Sequence, residues 1–135
     1  MTQRVLEWVT ARLREGEPVA LASVITAQGS VPGKPGAHMA VTDSEVYGTV
    51  GGAGLELKVM NHLREILETN EGRIETYQLQ KEAGGRVGTP LNSLCGGILT
   101  VSMEVIQPMP HILLAGGGHC AQAIADASAP LGWAV

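Results

Sequence analysis

Apolar positions near the start of the chain, Val5, Trp8, Val9 and Leu13, recur every three or four residues, and Gly16 follows where a helix C-cap is preferred. This spacing predicts a helix over residues 2–15. Pro18 then opens VALASVI, a run of small and β-branched residues too short for a helix and without a polar side, so it predicts a strand buried on both faces. Alternation over 37–42 and 45–50 predicts two short strands joined at Asp43-Ser44 as a tight hairpin. Leu55, Val59, Leu63, Ile66 and Leu67 form one stripe at helical period, ending near Thr69-Asn70-Glu71-Gly72, where Asn and Gly accept left-handed backbone angles. Residues 73–80 predict a half-exposed strand. Residues 81–92 are polar and glycine-containing, a loop long enough to suspect a functional lid or a disordered segment. Leu99, Val101, Met103 and Val105 alternate with smaller or polar residues, a strand that stops at Gln107-Pro108-Met109-Pro110.

Beyond that proline pair the pattern changes. His111 to Ala115 predicts an apolar strand, Gly116-Gly-Gly-His-Cys-Ala121 a turn, 121–127 a helix, and Trp133 to Val135 the opening of a second parallel strand. Twenty-five residues from His111 enclose no core of their own. They are expected to pack on the preceding domain, to pair with another chain, or to begin a longer protein; the last is preferred.

Composition narrows the function classes. Eighteen glycines in 135 residues are close to twice the usual share of ~7%, without a collagen period, which points to tight backbone geometry. The net charge of −4 disfavours duplex binding, and two Trp, two Tyr and no Phe give no stacking platform for single strands. No apolar run approaches the ~20 residues that span a bilayer, and the N-terminus lacks a signal-peptide pattern, so a cytoplasmic protein is expected. Cys95 and Cys120 are too few for a disulfide framework and are expected reduced.

Four strings carry candidate chemistry. Gly116-x-Gly118-x-x-Ala121 between a strand and a helix fits a dinucleotide fingerprint, whose small residues admit a pyrophosphate at the helix N-terminus. The acidic residue expected ~20 positions on falls beyond Val135. The same string also serves as a plain turn packing a helix on a sheet. Gly51-Gly52-Ala53-Gly54-Leu55-Glu56 offers N–H groups at a helix start, with Glu56 either a ligand contact or a carboxylate compensating the helix dipole. Cys95-Gly96-Gly97 places a thiol beside residues that permit close backbone approach, although cysteine is most often an inert core residue. Gly29 to Gly36 holds three glycines and two prolines, a shaped loop that contains Ser30 and Lys34. The histidines, 38, 62, 111 and 119, have no two-ligand helical spacing, and only His119 sits on a candidate site.

In order and spacing, Gly29-Ser30-x-Pro32-x-x-x-Gly36-x-x-Met39, Gly51-Gly52-x-Gly54-Leu55-Glu56, Cys95-Gly96-Gly97 and Gly116-x-Gly118-His119 resemble the XdhC/CoxI family. The family's Arg after its first-motif proline is Gly33 here, with Lys34 one position on. The resemblance implies an α/β protein: a mixed α/β domain over 1–106, then over 107–135 a linker and the truncated start of a Rossmann-like β-α-β unit. It implies a maturation factor that binds the molybdenum cofactor (molybdopterin), assists its sulfuration and hands it to a xanthine or carbon monoxide dehydrogenase type apoenzyme, without turnover of its own. A cysteine desulfurase is an implied partner, and a homodimer is expected. On this reading Cys95 is the metal and sulfur contact. Ser30, Lys34, Gly51, Gly52, Gly54 and Glu56 hold the anionic or pterin end, Gly96 and Gly97 admit it, and Gly116, Gly118 and His119 line a dinucleotide-type turn. The alternative is an oxidoreductase using NAD(P) or a flavin nucleotide at Gly116 to Ala121.

Overall fold

Along a central strand, neighbouring side chains point to opposite faces, so a run that is apolar at every position must be covered twice. Val19 to Ala22 is such a run, and the computed structural model, which describes residues 1–79 and 96–135, covers it with one helix on each side. The elements are α1 (Thr2–Arg14), β1 (Val19–Gln28), β2 (His38–Val41), β3 (Val46–Gly48), α2 (Ala53–Thr69), β4 (Arg73–Gln78), β5 (Ile98–Ile106) and α3 (His119–Ser128). The five strands among the described residues form one antiparallel sheet in the order β3-β2-β1-β5-β4. A mixed α/β domain, as expected from the sequence, is present.

Parity sorts the core. Val19, Leu21 and Ala40 pack with Val5 and Val9 of α1, while Ala20, Ala22, Val24, Met39 and Val41 pack with the α2 stripe. On α2, Leu55, Val59, Leu63 and Ile66 are buried against Leu99, Val101 and Met103 of β5. Each such side chain, fully buried, contributes ~1.5–3 kcal/mol. The helix stops where Asn70 turns left-handed at φ 56° and its N–H bonds the Ile66 carbonyl at 2.7 Å. A polar stack ties α1 to the hairpin on the other face: Trp8 lies parallel to Tyr47 with ring centres 5.6 Å apart, and Arg12 sits over Trp8 while bonding Glu45 at 2.9 Å.

Several boundaries differ from the sequence reading. β1 runs three residues past the apolar VALASVI because a bulge at Ile25 lets it stay paired with β5 to Gln28. The hairpin strands are shorter than expected, because Thr42 leaves the ladder and its hydroxyl accepts the Glu45 N–H at 3.1 Å, widening the turn. The tail from His111 departs most. Instead of a strand over 111–115, His111 makes one parallel bridge to Ala134, with Ile112 N–H on the Ala134 carbonyl at 2.7 Å. Two parallel strands with no further neighbour are marginal, and Leu113 is left 95% exposed. α3 starts at His119, two residues before the expected start. The expected loop over 81–92 lies outside the described residues.

His62 on α2 is tied across the core edge: its Nδ1 and the Tyr77 hydroxyl lie 2.6 Å apart. Burial first, and the Glu75 charge next, raise the Tyr77 phenol above its ordinary range. The folded state therefore holds the phenolic proton more tightly than the unfolded chain. This contribution is complete below the free phenol value of about 10 and is lost as pH rises above it. In urea melts between pH 8 and 11.5, stability should fall on the alkaline side, and Tyr77→Phe should flatten that limb. An unchanged limb in the variant would contradict the linkage. The two faces of α2 make a second expectation: Leu63→Ala should lose about 2–5 kcal/mol. Leu57→Ala, at a side chain 55% exposed, should stay within about 0.5 kcal/mol of wild type by the same melts.

Candidate functional site

Three of the four motif strings, far apart in sequence, meet at one end of the sheet through contacts that leave no room for a side chain. A Cβ on Gly97 would run into the Gln28 carbonyl and the Val31 side chain, and would lie 2.9 Å from the Ser30 carbonyl. A Cβ on Gly29 would stand 3.1 Å from the Gly97 Cα. Gly33 presses on the Val50 carbonyl, and Gly51, at φ +124°, lies against the Pro32 to Gly33 peptide. A Cβ on Gly52 would stand 3.3 Å from the Pro32 ring. Loop 29–36 is thus clamped between the turn before α2 and the start of β5. Its return is pinned on β1, where Gly36 N–H bonds the Val24 carbonyl at 3.0 Å and Val24 N–H bonds the Ala37 carbonyl at 2.9 Å.

This geometry separates two kinds of glycine. At Gly33, Gly51 and Gly97 the missing side chain is replaced by the protein's own backbone. At Gly54 and Gly96 no atom of the described residues stands where a side chain would go, and both are exposed. Ser30 and Lys34 are exposed on the clamped loop, and the Lys34 carbonyl accepts the Ala37 N–H at 3.0 Å.

The start of α2 resolves what Glu56 does locally. Its Oε1 accepts the hydroxyl proton of Thr49, and the same Thr49 oxygen accepts the Gly51 N–H at 3.1 Å. A carboxylate in the first turn also compensates the helix dipole, worth ~0.3–1 kcal/mol. Thr49 is the residue that sequence reasoning passed over. Its signal is a hydroxyl two residues before a glycine, the spacing of a side-chain turn. Among the described residues no side chain caps the first N–H groups of α2, whose N-cap is Gly52.

The remaining predicted residues divide. Cys95, the expected thiolate, lies outside the described residues, directly before Gly96 in the chain. Gly116, Gly118 and His119 are exposed at the start of α3, and the contacts that join the other three motifs do not involve them. Cys120, in the same first turn, is a free, exposed thiol. Among the described residues no three His, Cys, Asp or Glu side chains are grouped to hold a metal ion. Nor is any helix among them long and apolar enough to cross a membrane.

Comparison with known proteins bears on this arrangement. Residues 12–78 match the XdhC and CoxI family. The chain is 30% identical over 124 residues to a protein of Escherichia coli K12 described as uncharacterized protein YqeB, spanning 91% of this chain and 22% of that protein. It is also similar in fold to a crystal structure described as a xanthine dehydrogenase from Bacillus halodurans. The TM-score there is 0.60 at 23% identity, covering 76% of this chain and 30% of the other. The matched span holds two of the clamped loops and all of α2.

The clamp predicts a sharp contrast in stability. Gly51→Ala places a Cβ on the Pro32 peptide at a backbone angle that L-residues rarely adopt, and should lose about 1–3 kcal/mol or more. Gly54→Ala, in open space within a helix, should be neutral or slightly stabilising. Thermal melts of both variants check this; equal effects would show that the Gly51 contact does not constrain the fold.

Proposed function

Over residues 12–78 the chain belongs to the XdhC and CoxI family, and from that premise we propose that it is a maturation factor that carries the molybdenum cofactor. The recipient is a xanthine or carbon monoxide dehydrogenase type apoenzyme. The observation that supports this most is the convergence of loop 29–36, the turn before α2 and the Gly96-Gly97 step on one exposed end of the sheet. Molybdopterin pairs a donor-rich pterin edge with a phosphate, and the groups gathered here suit both ends. The Glu56 carboxylate, one oxygen of which is held by Thr49, accepts pterin N–H groups. Lys34, exposed on the loop that packs on Val50, faces an anionic phosphate with a mobile point charge rather than an arginine fork. The open glycines, 54 and 96, let a flat ligand approach the backbone.

Ser30 and the N–H groups at the uncapped start of α2 supply further donors to the phosphate. Gly33, Gly51, Gly52 and Gly97 act one step back: they hold the loops in place and do not touch the ligand. Cys95, next to Gly96 in the chain, is proposed as the soft sulfur contact. Bound here, the cofactor brings a dithiolene-held molybdenum centre; the chain contributes binding, orientation and delivery. A cysteine desulfurase is the proposed sulfur source for such a carrier, and a homodimer its proposed assembly.

The test is retention. Mixed anaerobically with molybdopterin released from a purified molybdoenzyme and passed through gel filtration, the 135-residue chain should elute with pterin fluorescence near one equivalent. Lys34→Gln, Glu56→Gln and Gly54→Ala should each weaken retention about tenfold, ~1.4 kcal/mol, with circular dichroism unchanged. Pterin running free of the wild-type chain, or retained equally by all three variants, would remove the reading.

A further inference from the structure

Away from the glycine loops, a cleft of about 670 Å³ opens between the last turns of α1 and the linker that follows β5. Its helix side presents Thr10, Leu13 and Arg14, positions i, i+3 and i+4 of one face, and its other side is Pro108 to His111. A second hollow of about 440 Å³ continues it past Arg14 toward Gly16. Both walls are fixed. α1 is packed through Val5 and Val9, and the linker is anchored at one end by Gln107 Nε2 on Asn70 Oδ1 at 2.9 Å. Its other end is anchored by Ala134 N–H on the Pro110 carbonyl at 2.9 Å. Size, apolar walls and a place where two structural units adjoin are the usual marks of a small-molecule site.

Charge decides what such a site takes. Arg14 lines both hollows, whereas the one acidic residue that lines them among the described residues, Glu15, is engaged by Arg12 at 3.3 Å. The carboxyl end of a helix ordinarily repels anions through its free carbonyls. Here the carbonyls of Ala11, Arg12 and Leu13 already accept the N–H groups of Glu15, Gly16 and Glu17, which mutes that repulsion. The guanidinium is left as the dominant charge over a floor of proline, methionine and leucine. We propose that this cleft binds a small amphipathic anion, an apolar body lying along Leu13 and Pro108 to Pro110 with its carboxylate on Arg14. Met109, 60% exposed, supplies a polarizable wall that adjusts to the shape of the body.

The proposal is independent of the cofactor reading and is tested on the full chain with sodium decanoate as probe. In 15N-labelled protein, decanoate should shift the backbone amides of Thr10, Leu13, His111 and Ala134 saturably and in common. The glycine-loop amides should stay still. Arg14→Gln should weaken the fitted affinity at least about fivefold, and Met109→Asp, at an exposed position that leaves the fold intact, should weaken it similarly. Arg4→Gln, on α1 outside the cleft, should not. Decyltrimethylammonium, with the same chain and opposite charge, should fail to shift these amides. Shifts spread elsewhere, equal binding of the cationic amphiphile, or indifference to Arg14→Gln would each overturn the proposal. So would shifts that follow protein concentration without any probe, which would mean that a second copy fills the cleft.

Discussion

Backbone-on-backbone contact at the end of the sheet is the constraint on which the arrangement of this molecule depends. Loop 29–36 can reach the turn before α2 only because Gly33 and Gly51 carry no side chain between Val50 and Pro32. It can reach the start of β5 only because Gly97 carries none against Gln28 and Ser30. These contacts join segments that the sheet alone leaves independent: the chain leaving β1, the turn entering α2 and the strand β5. A wider gap at any of them would separate the groups of the site, Ser30, Lys34, Gly54, Glu56 and Gly96, from one another.

The sheet supplies the rigid base for that clamp. β1 is central, paired to β2 on one side and to β5 on the other, and its apolar positions are divided between two helices by parity. The Ile25 bulge ends this two-sided burial. Past it, β1 continues toward Gly29 with Thr26 and Gln28 exposed and Ala27 still on the core, so the same feature that breaks the regular pattern carries the chain to the site. α2 begins beside the loop and is held along its length by buried Leu55, Val59, Leu63 and Ile66, so the orientation of its first turn is set by core packing.

Much of this was legible in the chain itself. The α2 stripe, its Asn70 terminus and the alternation of β5 are local patterns, and local patterns survive folding when the core agrees with them. Strand order was not legible, because β1 pairs with β5 across some eighty residues and no local signal encodes that partner. The His62–Tyr77 contact was hidden for the same reason, lying between a helix and a strand. The glycines were legible as sites of close approach but not as to what approaches. At Gly51 and Gly97 the neighbour is the protein, and only the fold tells these apart from Gly54 and Gly96. In the tail, the strand pattern at 111–115 was read correctly as apolar, yet without neighbouring strands it forms a single bridge.

The position of Glu56 constrains what the proposed site selects. An uncapped helix start attracts anions, and a carboxylate in its first turn partly satisfies that attraction from within. Thr49 holds that carboxylate at the turn through one oxygen, so the charge is part of the site and not a side chain free to swing away. A lone phosphate at the start of α2 therefore finds N–H donors partly offset by the Glu56 charge, and meets unopposed attraction at Ser30 and Lys34. A flat heterocycle with N–H donors meets the reverse. The combination favours a ligand that carries donors at one end and an anion at the other over either group alone. Selection of that kind comes from separating two opposite charges on one rigid surface, and here the glycine clamp provides the separation.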